Sequence, residues 1–468
     1  MMVQRASRRT MLSRATGLIG VGALAAACGQ QASSGGDKIA QGQSTREVAI
    51  TWATWGNDTN TFNTDAVPKG LAIFNQRFPK VKINTLTETT AGNVDWTTRN
   101  ETAWIAGNGP DLSEHCCQWG PVWARENLFV NLDPYMKKDF PAKVKEDFVQ
   151  WLMDLFHDQE HGQFALPMYS GTIGLYYIKT IFQKKGVAPP DETWDWNKYR
   201  DAAIKLNDPQ NGVFGRRQVR GYDRILQRLH QAGGHYVDPK DDKKCVLDSP
   251  QAMQALQYER DANLKDKYTV RDGDFNATQG LDEYKSISTQ KWAMWEEGSW
   301  RLVRYATNID KDVVPQWDVA PLPKGPAQRG SLATNDGWSI WKGSKAIDEC
   351  WELLKFLESD EWNNINARIS GQQPPRKSFQ DTWLKLIKEA NPQLADKNLK
   401  VFTDAITQNY ARPIELFRKH KDSNDMIVDM FNRAVYSTET SSSIKNGADS
   451  LDSAVKDVVQ RVNDINNK

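Results

Sequence analysis

The chain has 468 residues, of which 60 are lysine or arginine and 59 are aspartate or glutamate, so its formal net charge is +1. A single hydrophobic core rarely extends beyond about 250–300 residues, so a chain of this length is expected to form more than one lobe. The near-neutral charge gives no basis for nucleic-acid binding, and the 39% hydrophobic content excludes an intrinsically disordered chain.

Tryptophan and histidine are the residue types whose numbers stand out. The chain contains 18 tryptophans, which is more than a hydrophobic core alone requires. Its six histidines are scattered and include no H-E-x-x-H motif, which argues against a zinc enzyme. We therefore predict no metal site and no cofactor.

The first 27 residues have the features of an export signal. They contain four arginines and no acidic residue, and they end in an apolar run at residues 15–27. Thirteen residues are too few to cross a hydrocarbon core of about 30 Å, but they suit the apolar region of a signal peptide. The segment SRRTML at residues 7–12 resembles the twin-arginine export motif, although methionine stands where phenylalanine is usual.

A cysteine follows the apolar run directly. The segment LAAACG at residues 24–29 resembles a bacterial lipobox, which implies that Cys28 is lipidated and becomes the mature N-terminus. The alternative is an ordinary signal peptide with a chance cysteine. Residues 28–46, rich in glutamine, serine and glycine, are predicted to form a flexible tether. We expect an exported protein that a lipid anchors to the extracytoplasmic face of the cell membrane.

The first elements after the tether alternate between strand and helix. Residues 48–55 and 81–86 predict strands, while the apolar spacing over residues 71–78 and the segment 93–106 predict helices. This order indicates an α/β lobe with parallel strand pairing.

The alternation continues to the end of the chain. Strands are predicted at residues 173–178 and 338–341. Helices are predicted at residues 193–206, with Thr193 as the N-cap, and at residues 250–258, 349–357 and 448–465.

Four further cysteines leave the disulfide question open: Cys116, Cys117, Cys245 and Cys350. An exported protein permits disulfides, but adjacent cysteines have Cα atoms only about 3.8 Å apart and rarely pair with each other. Free buried thiols are therefore an equal expectation.

Several blocks of the chain, taken together, carry a family resemblance. The clearest is GQFALPMYSGTIGLYYIKTIFQKKGVAPPDETWDWN at residues 162–197. Weaker blocks follow the same order as in the family, at residues 109–112, 127–132, 291–300, 317–323, 335–341 and 371–376. These blocks resemble the sugar-binding group of bacterial ABC-importer solute-binding proteins, the group related to maltose-binding protein. Ile178 replaces the usual asparagine, and Cys116–Cys117 is not part of the family pattern.

The resemblance implies the class II periplasmic-binding-protein fold, in which a hinge joins two α/β lobes and the ligand lies in the cleft. Residues 1–27 would be the signal peptide, and residues 28–46 the lipidated cysteine and tether. The implied lobes are discontinuous: lobe one at 46–172 plus 333–371, and lobe two at 173–332 plus 372–468.

A sugar presents C–H faces that suit flat aromatic rings, and hydroxyl groups that need paired polar partners. Polar turns beside aromatic residues and the family's Gly-Ser-Trp block suggest the ligand-binding residues Trp55, Asn57, Asp58, Trp119, Tyr169, Trp300, Asp336, Trp338 and Arg376. The alternatives are a core position for Trp55 and Trp300, a hinge-packing role for Trp338 and a surface ion pair for Arg376. No residue is predicted to be catalytic.

The expected function is capture of a sugar or oligosaccharide by hinge closure and delivery to the permease of an ABC importer. The protein would act as a monomer without enzymatic activity. Two alternatives stay open. The same fold could bind a phosphodiester, a polyamine or a peptide. A secreted glycosidase could use Glu296, Glu297 and Asp336, although no motif places its acid and its nucleophile.

Overall fold

The computed structural model describes residues 46–55, 61–87, 93–270, 283–436 and 450–468, together with Ile39, Gly42 and Ser44. These residues belong to one unit, Asp37–Lys468. The predicted signal peptide and the three predicted functional residues Cys28, Asn57 and Asp58 lie outside the described residues. In the part of the chain that is described, no helix has both the length and the apolar composition that crossing a membrane requires.

Strands occur along most of the described chain. Up to residue 178 they are β1 (Val48–Thr54), β2 (Val81–Thr87), β3 (Leu112–Cys116), β4 (His157–Asp158), β5 (Gly162–Gln163), β6 (Leu166–Pro167) and β7 (Gly171–Ile178). The later strands are β8 (Phe214–Arg217), β9 (Val237–Asp238), β10 (Asp241–Cys245), β11 (Thr269–Val270), β12 (Trp292–Gly298), β13 (Trp317–Ala320), β14 (Ser331–Thr334), β15 (Asp336–Ile340) and β16 (Ala411–Arg412).

Helices connect most of these strands. Before residue 270 they are α1 (Val67–Arg77), α2 (Asn93–Ile105), α3 (Gly120–Arg125), α4 (Asp133–Asp139), α5 (Ala142–Asp147), α6 (Gln150–Leu155), α7 (Lys179–Lys185), α8 (Trp196–Leu206), α9 (Tyr222–Ala232) and α10 (Pro250–Arg260). The later helices are α11 (Glu283–Ser288), α12 (Leu302–Asn308), α13 (Ile347–Leu357), α14 (Asp360–Ile369), α15 (Gln380–Ala390), α16 (Lys400–Thr407), α17 (His420–Ala434) and α18 (Leu451–Asn466).

The first sheet has the strand order β2-β1-β3-β15-β6. Strand β1 pairs in parallel with β2 and β3, as the strand–helix alternation predicts, whereas β15 runs antiparallel to β3 and β6. Aromatic side chains fill much of the core beside this sheet, among them Trp52, Phe74, Trp338, Trp351 and Trp362. Together, this sheet and its packed helices form one lobe.

The second sheet has the order β11-β8-β12-β7-β14-β16, and β13 pairs with β7 as well. All eight residues of β7 are buried, because the strand is central and packed on both faces. Its Tyr176 ring stacks on Trp295 at a centroid distance of 5.4 Å, within the largest apolar core of the chain. This sheet is the centre of the other lobe.

The chain passes between the lobes at three places. It leaves the first sheet between β6 and β7, and it returns between β14 and β15. A third passage, Gly371–Arg376, connects α14, which packs in the first core through Trp362, to α15, which packs in the second core through Trp383. The two-lobe α/β fold that the resemblance implies is thus confirmed.

Most of the helices and strands predicted from the sequence are found within a few residues of their expected bounds. One detail was wrong: α8 begins at Trp196, and its N-cap is Asp195, whose carboxylate accepts from the Lys198 N–H at 2.9 Å. Thr193 instead donates its hydroxyl to Asp191, so it belongs to the preceding turn. The four cysteines at 116, 117, 245 and 350 are free thiols.

Candidate functional site

Hydrogen bonds join the three passages between the lobes. The Ser170 N–H donates to the Gln373 carbonyl at 2.8 Å, and the Ser170 hydroxyl donates to the Pro374 carbonyl at 2.7 Å. The Met168 N–H donates to the Asp336 carbonyl at 2.7 Å. Each passage is therefore hydrogen-bonded to another one. The residues next to the three passages lie close together between the two sheets.

The buried side chain of Gln373 extends these contacts into the second lobe. Its Oε1 accepts from the hydroxyls of Thr172 and Ser299, at 3.3 and 3.2 Å, and its Nε2 donates to the Phe402 carbonyl at 3.1 Å. Because every polar atom of this amide is paired, it fixes the third passage against β7 and against the turn after β12.

Trp300 contacts both lobes from that turn. The ring is half-buried and packs against the apolar cores of both the first and the second sheet. A Cβ added at Gly171 or Gly298 would lie 2.6 or 2.1 Å from ring atoms, so the absence of a side chain at both positions lets the ring lie this close. The Arg224 guanidinium lies 5.5 Å from the ring centroid, in cation–π geometry.

Arg224 is held in place by a buried carboxylate. Its Nη2 donates to Glu297 Oε1 at 2.8 Å, and the same carboxylate oxygen accepts from the Gly298 N–H at 2.9 Å. Burial alone would raise the pKa of Glu297, but the charges of Arg224, Arg301 and Arg217 lower it below its ordinary value. The pair thus orients a guanidinium over the Trp300 ring.

A pair of carboxylates lies on the side of the first sheet. Glu114 is on β3, and Asp336 opens β15, where it pairs with Cys116 in the antiparallel register. The Glu114 Oε2 accepts from the Trp55 N–H at 2.9 Å, just past the end of β1. Ligands of open α/β sheets bind at such carboxyl ends of parallel strands.

The electrostatics of this carboxylate pair are unusual. Burial raises the pKa of Asp336 to about 7, even though the Tyr169 hydroxyl, which donates to it, acts in the opposite direction. Burial and then the charge of Asp336 raise the pKa of Glu114 well above its ordinary range. A carboxyl group that keeps its proton can both donate a hydrogen bond and accept one, which suits ligand hydroxyls.

The sequence model of one family, described as bacterial extracellular solute-binding protein, matches residues 55–364. That match covers well over half of the chain, including most strands of both sheets and the first two passages between the lobes. This chain belongs to the bacterial extracellular solute-binding proteins.

Two curated relatives show how far the similarity extends. A Brucella abortus chain named as a binding protein is 25% identical over 279 residues, covering 58% of this chain and 64% of its own length. A periplasmic-binding protein of an ABC transporter from Escherichia coli, YcjN, is 26% identical over 161 residues, covering 32% and 35% of the two chains. This solute-binding protein therefore matches less than two thirds of the length of its curated relatives.

Solved structures extend the similarity over almost the whole chain. The substrate-binding protein Lmo0181 of Listeria monocytogenes, solved with cycloalternan, has a TM-score of 0.75 at 19% identity and covers 89% of this chain and 98% of its own. The GacH receptor of Streptomyces glaucescens, solved with and without acarbose, has a TM-score of 0.71 at 20% identity and covers 90% and 100%. At such identities the similarity establishes the fold of this solute-binding protein.

Most of the described residues predicted to bind ligand lie where the lobes meet. Tyr169 and Asp336 lie on two of the passages, and Trp300 lies between the two cores. Trp55 is half-buried at the end of β1, 5.3 Å from the Trp96 ring centroid. Trp119 is half-buried in the turn that leads from β3 into α3. These five remain our candidate ligand contacts.

Two predicted ligand contacts are corrected by the structure. Trp338 is fully buried in the first core, edge-on to Trp52 at 5.3 Å, so neither face of its ring is open to a ligand. Arg376 is 7% exposed, and its guanidinium is engaged by Asp360 and lies 5.9 Å from the Phe379 ring centroid. It forms the ion pair named as the alternative, although the arginine is buried and not on the surface.

Three residues near the passages between the lobes were not predicted from the sequence as candidate site residues: Glu114, Arg224 and Gln373. Glu114 could have been noticed, because a carboxylate in the buried strand after the Gly-Pro-Asp-Leu block is unusual. Arg224 lies on a helix with no distinguishing local pattern, and Gln373 lies in the block 371–376, whose resemblance gives its glutamines no role. Only the tertiary fold brings these two residues to the Trp300 turn.

The raised pKa of Asp336 predicts an unusual pH dependence of stability. Between about pH 4 and pH 7 the folded chain retains a proton at Asp336 that the unfolded chain has released, so the free energy of unfolding should fall as the pH rises. Around Asp336 lie Glu114, Tyr169 and the thiols Cys116 and Cys117. Glu114 and Glu358 also have raised pKa values and contribute to this fall, so Asp336→Asn should reduce it by about 2 kcal/mol, a modest amount because Asp336 is partly exposed.

Urea unfolding at pH 5 and pH 8 measures this effect directly. Asp201→Asn, on the exposed side of α8, is the control and should keep the wild-type pH dependence. The same loss of stability in wild type and in Asp336→Asn would contradict the assignment of the proton to Asp336.

Proposed function

We propose that this chain is the solute-binding component of an ABC importer, which captures a sugar or oligosaccharide between its lobes and delivers it to the permease. One observation carries the proposal: Trp300 packs against the cores of both lobes, and Tyr169, Asp336 and Glu114 form a polar cluster at the passages between the lobes. An aromatic ring and carboxyl groups at the meeting of the lobes suit a ligand with C–H faces and a rim of hydroxyls.

The comparisons support the same class of ligand. Lmo0181 was solved with cycloalternan and the GacH receptor with acarbose, and both share the fold of this chain over about nine tenths of its length. The near-neutral charge and the abundance of tryptophan favour a sugar over a phosphodiester or a polyamine.

Hinge closure is the proposed mechanism. We propose lobe one at residues 46–172 plus 333–371 and lobe two at 173–332 plus 372–468, because the passages between the sheets lie within a few residues of these limits. A ligand that touches both lobes stabilises the closed arrangement by its additional contacts there. The protein would act as a monomer, since each chain contains both halves of the site.

We propose binding without catalysis. The glycosidase alternative would need Glu296 or Glu297 free to reach a glycosidic bond. Glu296 instead accepts from Tyr199 and Gln227 at 3.0 and 2.7 Å and is paired with Arg228, and Glu297 is paired with Arg224. Both carboxylates are therefore occupied by structural partners.

The experiment begins with ligand that remains bound during purification, identified by mass spectrometry. Calorimetric titration with that compound and with a panel of oligosaccharides should give a saturable single site, and small-angle scattering should show a more compact particle when ligand is bound. Release of shorter sugars during incubation would indicate an enzyme. Binding of peptides or polyamines in place of sugars would replace the proposed ligand class.

We also propose that Cys28 carries the lipid anchor. In cells labelled with radioactive palmitate, the wild-type protein should incorporate label and Cys28→Ser should not, because the lipid is attached through the thiol of this residue. Replacing Arg8 and Arg9 with lysine is the companion experiment and should block export if the twin-arginine route is used. Equal labelling of wild type and Cys28→Ser would exclude the anchor.

A further inference from the structure

Residues of both lobes line a cavity of about 900 Å³. The first lobe contributes Arg125 and residues 157–160. The second lobe contributes segments that include His230, His235 and Glu415. None of the described residues predicted to bind sugar lines this cavity, so its chemistry has to be explained separately.

Two histidines in this cavity converge on a single carboxylate oxygen. His230 Nε2 lies 2.8 Å from Glu415 Oε1, and His235 Nδ1 lies 2.6 Å from the same oxygen. The three donor atoms, one from each residue, all lie within 4.8 Å of one another. We propose that His230, His235 and Glu415 form a binding site for a divalent transition-metal ion of the zinc class.

The backbone holds these three side chains in their positions. His230 is in the last turn of α9, and Gly233 closes that helix in the left-handed conformation at φ 79°, which turns the chain back towards His235. The second oxygen of Glu415 accepts from the N–H groups of Tyr236 and Val237, at 2.8 and 3.1 Å. The carboxylate is therefore fixed with one oxygen directed at both imidazoles, as a monodentate ligand requires.

The distances suit a small tetrahedral ion. With bonds of about 2.0–2.1 Å, ligand atoms around Zn²⁺ lie about 3.3 Å apart, so the imidazoles of His230 and His235 would need to move from Glu415 by about 0.5 and 0.7 Å. His230 is 5% exposed and Glu415 15%, whereas His235 is 41% exposed, so the cluster is accessible from the cavity side. The cavity leaves room for water as a fourth ligand.

The ligand set selects the class of metal. Two imidazole nitrogens and one carboxylate oxygen are typical of Zn²⁺ and its neighbours, whereas Ca²⁺ and Mg²⁺ prefer sites built from oxygen alone. The sequence did not indicate this site, because the two histidines are five residues apart outside any zinc motif and Glu415 follows 180 residues later. Only the fold brings the three together.

An ion at this place would connect the end of α9 to the segment after β16. Arg125 of the first lobe donates to the carbonyls of Phe417 and Arg418, at 3.0 and 2.9 Å, just beyond Glu415. A bound ion would therefore stiffen the segment that the first lobe contacts here.

The test uses full-length protein without a histidine tag, stripped with a chelator and titrated with Zn²⁺. We expect one site of micromolar affinity or tighter, a higher thermal midpoint with Zn²⁺, and no competition from Ca²⁺ or Mg²⁺. His235→Gln and Glu415→Gln should each weaken binding at least tenfold. Because His235 is half-exposed, its variant should fold even if Glu415→Gln does not.

His161→Gln is the matched control, since His161 pairs with Asp158 at 2.8 Å outside the cluster and should leave Zn²⁺ affinity unchanged. Substitution with Co²⁺ should give the strong visible absorption of a four-coordinate ion in wild type and lose it in His235→Gln. Undetectable Zn²⁺ binding in wild type, or the same affinity in wild type and His235→Gln, would overturn the proposal.

Discussion

Replacing Trp300 with alanine is expected to weaken sugar affinity about 5- to 100-fold. An aromatic side chain at a binding hot spot contributes on the order of 1–3 kcal/mol, and about 1.4 kcal/mol corresponds to a factor of ten in affinity. Trp300 should reach this range because its ring lies between the two cores and gains contacts when the lobes close. Calorimetric titration with the co-purified ligand measures the change.

Stability separates a binding role from a structural one. A core tryptophan replaced by alanine costs about 3–5 kcal/mol, whereas half-buried Trp300 should cost less. Trp341→Ala, another half-buried tryptophan but one that packs in a cluster within the first lobe, is the control and should keep the wild-type affinity. Unchanged affinity and a collapsed melting midpoint for Trp300→Ala would place this residue in the core.

Replacing Glu259 with glutamine is expected to cost about 3–5 kcal/mol of stability. Its carboxylate accepts from Arg216 Nη2 and Arg228 Nε, both at 2.6 Å, and all three side chains are fully buried. The two guanidinium charges lower the pKa of Glu259 in spite of its burial, so the group is ionised at neutral pH. Neutralising it removes the carboxylate that pairs with buried Arg216 and one of the two that pair with buried Arg228, which keeps Glu296. Urea unfolding at pH 7 measures the loss.

A surface ion pair provides the comparison. Arg368 and Glu389 are 3.0 Å apart, with side chains 45% and 44% exposed, so water solvates each charge when the other is removed. Glu389→Gln should therefore change the stability by less than about 1 kcal/mol. Similar losses for Glu259→Gln and Glu389→Gln would show that burial does not make the pair at Glu259 costly to break.

Local patterns in the sequence predict individual elements well, but not how they are arranged. Strand β1 follows from β-forming residues that end at a turn signal, β2 from alternating apolar and polar residues, and α10 from its Ser249 cap and Pro250. The position of β15 between β3 and β6 could not be read in the same way. Its partners are determined by packing between segments that are far apart in the chain.

The candidate site shows the same limit at single residues. Trp300 and Trp338 both follow glycine-containing polar segments, so the sequence predicts a ligand contact at each of them. In the structure, Trp338 shares a face of β15 with Ile340, and both are fully buried in the first core. The spacing of two residues between the apolar side chains of Trp338 and Ile340 is visible in the sequence and could have assigned Trp338 to the core. The half-buried position of Trp300 depends on Gly171, more than a hundred residues earlier, and could not be anticipated.

The late position of β15 in the chain has a consequence for how the protein can fold. This strand occupies the interior of the first sheet, yet it is made about 220 residues after β3 and 170 after β6. Until it emerges from the ribosome, β3 lacks its antiparallel partner and β6 has no strand to pair with in that sheet. Lobe one therefore cannot complete its fold as a separate domain while the chain is still being synthesised. Pairings over such sequence distances form slowly, so maturation should follow release of the complete chain, and truncation before residue 336 should yield a protease-sensitive product.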